Sequence, residues 1–182
     1  LIYRNIPQSG FAHRAHHDLL KNLSAAGAPY DVYERGDHGR IPPGRYRVSI
    51  FPATPPPWGA QNFIRTACPD PMGPGGIPVP GGCLHRKNRE ARLADPAPSP
   101  DILREMLLAF GVHIYSHTGD PTHAGGDFVS LHAAAPGVKR IYLPDRGRLI
   151  DAFSGEDITV SDTFGEFEME AGQTRVFRVL PA

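Results

Sequence analysis

The sequence predicts an α/β layer followed by a small antiparallel β-module. Three observations carry that expectation. A capped helix over Ser99–Gly111 runs without a loop into the apolar Val112-His113-Ile114-Tyr115, which is the helix-to-strand junction of an α/β unit. The first fifty residues alternate strand and helix patterns. After Asp127, short strand patterns recur at regular spacing, divided by Gly and Pro turns, as in a meander or small sandwich.

The helix of the first observation is signalled at both ends. Ser99 is a good N-cap, Pro100 suits the first helical position, and Asp101 complements the positive helix terminus. Ile102, Leu103, Met106, Leu107 and Phe110 share one face at helical spacing, and Gly111 is placed to end the helix in a left-handed conformation.

Upstream, Ile2 to Arg4 reads as a strand, and Phe11, Ala15, Leu19, Leu20, Leu23 and Ala26 form one helical face that Gly27 and Pro29 end. Asp31-Val32-Tyr33-Glu34 reads as a second strand. Tyr46, Val48 and Ile50 alternate with Arg45, Arg47 and Ser49 in a third, ending at Pro52. This order is expected to form a parallel sheet.

From Pro52 to Pro100 the pattern collapses into Pro and Gly clusters such as Pro55-Pro56-Pro57 and Met72-Gly73-Pro74-Gly75-Gly76. Such a stretch excludes long helices and inner strands, so an extended excursion pinned by Trp58, Phe63 and Ile64 is expected. The downstream strands are expected at Phe128–Ala133, Lys139–Leu143, Arg148–Phe153, Ile158–Val160, Glu166–Glu170 and Thr174–Leu180. The domain boundaries are therefore set at 1–115, with the excursion at 52–100, and 116–182.

Composition bounds the function. The formal charge of the 182 residues is zero, which gives no electrostatic footprint for nucleic acid or an anionic membrane. No apolar run nears the ~18 residues of a membrane span. The N-terminal LIYRNIPQSG lacks the basic region and apolar core of a secretion signal. A soluble protein, in the bacterial cytoplasm or secreted, is expected. Opening without Met on a strand pattern suggests a processed product or a piece of a longer protein. Cys68 and Cys83, the only two cysteines, allow one disulfide or none.

Two parts of the chain carry a family resemblance. Asp127-Phe128-Val129-Ser130-Leu131-His132, Gly137 to Pro144, and Leu149-Ile150-Asp151-Ala152-Phe153-Ser154-Gly155-Glu156 resemble the C-terminal β-module of many glycoside hydrolases. That module closes on a strand like Ala171-Gly172-Gln173-Thr174-Arg175-Val176-Phe177-Arg178-Val179. Leu19 to Tyr33 followed by Gly44 to Pro52 is similar to the flavodoxin-like, class I glutamine-amidotransferase-like domain that follows the catalytic barrel of family 42 β-galactosidases. The resemblance implies a flavodoxin-like layer, a role in oligomer contacts, and partners that are further copies of the chain or a catalytic barrel. It implies no cofactor and no catalysis by this chain, whose length cannot hold a barrel.

Amidotransfer needs a Cys on a strand-to-helix elbow. Only Gly82-Cys83-Leu84-His85 offers one, and it lacks the following Gly. Glycoside hydrolysis needs two facing carboxylates; Asp120, Asp127, Asp151 and Glu156 are the candidates, all beside turns, where such residues are common.

The loop over 113–127 brings His117, Asp120 and His123 together in sequence. They form the candidate ligand-binding set, and the weak alternative of a zinc site in a small metal-dependent enzyme. A free-standing carbohydrate-binding module is the other alternative, with Trp58 and Tyr115 as stacking rings. His13 and His17 are read as a polar helix face, and His132 as a packing residue.

Overall fold

The computed structural model describes residues 2–4, 10–34, 45–52, 76–79, 82–85, 90–93, 95 and 97–182. The chain divides into two compact units. One comprises Leu1–Asn22 and Tyr30–Val112, the other Leu23–Pro29 and His113–Ala182.

In the first unit, β1 (Ile2–Arg4), β2 (Val32–Glu34), β3 (Ser49–Pro52), β4 (Gly76–Val79), β5 (Gly82–His85) and β6 (Glu90–Leu93) form a six-stranded sheet. Its order is β2-β1-β3-β6-β5-β4. Parallel pairing joins β1 to β2 and β3, and β3 to β6. Antiparallel pairing joins β6 to β5 and β5 to β4. At the N-terminal end of these strands the Tyr33 hydroxyl lies 2.9 Å from that of Tyr46, which donates to the Asp31 carboxylate.

The described residues hold two helices, α1 (Gly10–Ala26), whose last turn belongs to the second unit, and α2 (Pro100–Ala109). α1 buries Leu19, Leu23 and Ala26. α2 is built as its sequence demands. The Ser99 hydroxyl accepts from the Ile102 N–H, and Leu103, Met106 and Leu107 are buried. Gly111 has φ +69°, its N–H donates to Leu108 O, and the Val112 N–H reaches back to Leu107 O. That pair of bonds is the Schellman ending that a glycine makes possible. Asn22 Nδ2 ties α1 to the segment before α2, donating to Pro98 O at 2.9 Å.

The expected flavodoxin-like, amidotransferase-like layer is corrected by this structure. Among the described residues the chain is mostly β, with fourteen strands and two helices, and no helix-flanked layer forms. Each parallel step of such a layer needs a crossover, usually helical. Among its described residues the Pro- and Gly-rich stretch supplies no helix between β3 and β6. It contributes strands β4, β5 and β6 instead, two of them inside the sheet, against the sequence expectation. Pro78 falls on β4, at the sheet edge, where proline is tolerated. The residues expected to pin the excursion, Trp58, Phe63 and Ile64, lie outside the described residues, as does Cys68.

The second unit is a β-sandwich. Its strands are β7 (Thr122–Gly125), β8 (Phe128–His132), β9 (Gly137–Tyr142), β10 (Gly147–Asp151), β11 (Asp157–Ile158), β12 (Val160–Ser161), β13 (Phe164–Met169) and β14 (Thr174–Pro181). One antiparallel sheet runs β11-β10-β14-β8-β7, the other β12-β13-β9. Alternation places Val129, Leu131, Leu149 and Phe177 of the first sheet against Ile141, Phe167 and Met169 of the second. The rings of Phe167 and Phe177 meet at 4.6 Å. Each such buried side chain contributes roughly 1.5–3 kcal/mol.

Two differences from the sequence reading matter for the site. Val112–Tyr115 is not a strand; it runs irregularly, with the Tyr115 N–H donating to Gly27 O and the Tyr142 N–H to Tyr115 O. Gly27 is fixed in this contact by its φ of +80° and because a Cβ there would lie 1.9 Å from Ser116 O. Thr122–Gly125, read as loop, is a strand whose two-residue turn into β8 has Gly126 at φ +57°.

Candidate functional site

The loop that suggested a ligand site is a hydrogen-bonded closure of the sandwich. Asp120, at its centre, is 2% exposed. Its Oδ2 lies 2.8 Å from Lys139 Nζ and accepts from Thr118 Oγ1 at 2.5 Å; its Oδ1 accepts from the Ala134 N–H at 2.8 Å. Thr118 Oγ1 is also bonded to the buried Ser116 hydroxyl, and the Thr122 hydroxyl donates to Asp120 O. Burial pushes the Asp120 carboxyl up. The bonds from Lys139, Thr118 and Ala134 outweigh it and hold the carboxyl below its usual range.

The three loop candidates are not brought together as a ligand set. His117 is exposed, with its ring edge-on to Tyr142 at 4.9 Å. His123 lies on β7 with Nε2 3.5 Å from Ser24 Oγ. Asp120 is engaged in the interior. Among the described residues no group of three His, Cys, Asp or Glu is placed to hold a metal ion.

Tyr115 is half-buried, packed on the core and edge-on to His113 at 4.6 Å, so it is not an outward stacking ring. His113 Nε2 in turn donates to Tyr142 O. Trp58 lies outside the described residues. His132 is exposed rather than packed, with Nδ1 2.8 Å from Thr174 Oγ1. Cys83 sits on β5, between β4 and β6, and not on a strand-to-helix elbow.

The Asp151–Glu156 turn is the second built feature. Asp151 Oδ1 accepts from the N–H groups of Phe153 and Ser154 at 3.0 and 2.9 Å. Its Oδ2 meets Arg175 Nε at 2.7 Å, and Arg175 Nη2 meets Glu156 Oε2 at 2.6 Å. The Arg175 guanidinium also lies over the rings of Phe167 and Phe177, at 5.2 and 5.0 Å. Burial works against the charge on Asp151, but the Ser154 N–H, Arg175 and the Phe153 N–H bring its carboxyl down to about 2. At the tip of this turn Phe153 is 85% exposed.

Sequence reasoning missed the cations that organise both networks, although strand alternation marked them. Lys139 shares the inward register of Ile141 on β9, and Arg175 that of Phe177 on β14. A charge at a core register needs an acid to meet it. Asp127, the remaining candidate acid, is exposed, and its carbonyl accepts the Val179 N–H.

No family model matches the chain, and no curated protein matches it. Among solved structures the chain is similar to an AmyP variant in complex with maltotriose, at 10% identity and a TM-score of 0.28. The match covers 98% of this chain and 37% of that one. A likeness at that score does not establish a common fold. No helix among the described residues is long and apolar enough to cross a membrane.

Proposed function

We propose that this chain is a non-catalytic accessory and oligomerisation region of a glycoside-hydrolase-type, β-galactosidase-like protein of carbohydrate metabolism. Its partners are further copies of the chain or a catalytic barrel. The observation that supports this reading is the Asp151–Glu156 turn, on which the sequence resemblance also rests. Both acids of the turn bind Arg175, and Asp151 also holds two backbone N–H groups. Acids so engaged do not face each other across a substrate, as glycoside hydrolysis requires. What the turn delivers is a solvent-facing phenyl ring on a backbone held by Asp151, the kind of side chain that fills a pocket on a partner.

Sedimentation velocity over a concentration series, with an aryl β-galactoside assay on the same sample, tests the reading. Self-association is expected, weakened about tenfold or more in Phe153→Ser, as for an interface anchor. The unfolding midpoint of that variant should hold, because an exposed side chain away from structural contacts changes stability by about 0.5 kcal/mol or less. A monomer at every concentration removes the self-association half of the proposal. Glycoside turnover by the chain alone that falls in Asp151→Asn or Glu156→Gln removes the non-catalytic half.

A further inference from the structure

The edges of the sandwich are short except one. β7, β11 and β12 are edge strands of four, two and two residues. β9, six residues long, is the outer strand of the three-stranded sheet. Strand residues turn their N–H and C=O alternately toward and away from an antiparallel partner. The Leu143 N–H donates to Thr163 O, just before β13, and the Tyr142 N–H donates away from that strand to Tyr115 O. Val138 and Arg140 share the outward register of Tyr142. At Tyr142 the edge is closed, because His113 Nε2 also occupies its carbonyl. Among the described residues nothing bonds to the N–H or C=O of Val138 or Arg140. The Val138 side chain is 54% exposed, and a Cβ built on Gly137 would meet nothing within 4 Å.

Unpaired groups along a strand edge are a template for another strand. Proteins guard such edges with proline, bulges or charges that point inward. Lys139 has the position of a guard, but Asp120 pairs with its ammonium inside the same sandwich, which leaves the edge groups uncovered. What can pair there is narrowly set. Pro136 has no N–H and Tyr142 is engaged, so Val138 and Arg140 alone offer both groups. A second β9, antiparallel and two-fold about Lys139, sets Val138 opposite Arg140 of the other copy, twice over, and satisfies every one of these groups. Centring the pair on Arg140 would set two guanidiniums opposite each other and Val138 against the engaged Tyr142. Centring it on Val138 would set Arg140 against Pro136. The charges also fit the first register. Each Arg140 meets a neutral Val138, whose neighbour on β13 is Glu168.

We infer that β9 pairs with β9 of a second copy of this chain in an antiparallel contact, two-fold about Lys139, that joins two three-stranded sheets into one. The inference rests on the oligomerisation reading above for its choice of partner, and the contact shares no residue with the Phe153 turn. So short an edge makes a small interface, and the association is weak.

Amide exchange of the full chain over a concentration series reads the contact, with sedimentation velocity on the same samples. The Val138 and Arg140 amides should exchange about tenfold more slowly once the paired form dominates. Val138→Lys places its charge beside Glu168 within the chain but opposite Arg140 of the second copy. It should weaken association about tenfold, since the like-charge pair occurs twice. Val138→Glu reverses both relations and should strengthen association severalfold. Each variant changes an exposed side chain, so the fold should hold. The inference falls if neither amide responds to concentration, or if the two charge variants shift association in the same direction. Unresponsive amides with Phe153-dependent self-association remove this edge and leave the accessory reading. Amide protection that persists in Phe153→Ser and follows the charge at position 138 upholds the edge without the turn. A chain that stays monomeric at every concentration removes both.

Discussion

Asp151→Ala should destabilise the second unit by about 3–5 kcal/mol, the cost of removing one partner from a buried ion pair. Arg175 would remain beneath the turn, its side chain only 12% exposed, facing two aromatic rings and the outlying Glu156. The N–H groups of Phe153 and Ser154 would lose their acceptor together. Glu156→Gln is the contrast. That carboxylate is mostly exposed, and an exposed pair of this kind contributes about 0–1 kcal/mol. Urea unfolding read through amide exchange on β10 and β14 measures both. An Asp151→Ala cost below that of Glu156→Gln would mean that the turn is held by its backbone alone.

The same network sets an acid limit. The Asp151 carboxyl stands at about 2 in the folded chain, against about 3.9 when unfolded. A lowered folded value stabilises the fold above the unfolded one. The contribution, about 2 kcal/mol, is therefore complete at neutral pH. It should be lost as pH falls from about 4 through about 2, and Asp151→Asn should flatten that part of the stability profile. Asp120 shifts in the same direction and adds to the acid sensitivity.

The legible parts of the fold were the local ones. Ser99, Pro100 and Gly111 decide the ends of α2 through bonds to their immediate neighbours, so the sequence states them directly. The sandwich strands were legible because alternation has the same period wherever the partner strand lies. The six-stranded sheet was legible in half: β1, β2 and β3 and their parallel pairing follow from the strand patterns of the first 52 residues, whereas β4 to β6, four residues each, lie among prolines and glycines that argue against strands when read alone. Pairing with distant neighbours fixed them. β7 was hidden for a related reason: Thr-His-Ala-Gly has no apolar alternation, and its place follows from the register of β8. The site failed differently. His117, Asp120 and His123 were grouped by closeness in sequence, while Lys139, the residue that decides what Asp120 does, lies on another strand.

That pairing leads to the second large effect. Asp120→Ala should also cost about 3–5 kcal/mol, because it leaves the Lys139 ammonium, 6% exposed, buried without its carboxylate. Lys139→Met is the informative partner variant. Burial is the largest influence on Asp120 and already pushes its carboxyl up. With the ammonium gone, the bonds from Thr118 and Ala134 oppose that push alone, and the carboxyl should titrate at a higher pH than in the unaltered chain. Carbon-detected NMR of the Asp120 carboxyl follows this directly. Combining Asp120→Asn with Lys139→Met should recover part of the loss, since a buried pair replaced as a unit leaves no orphan charge. Zinc should rescue neither single variant if Asp120 is a closure of the sandwich. Stoichiometric zinc on the unaltered chain, together with a folded-state titration of the Asp120 carboxyl that moves with zinc, would overturn the closure.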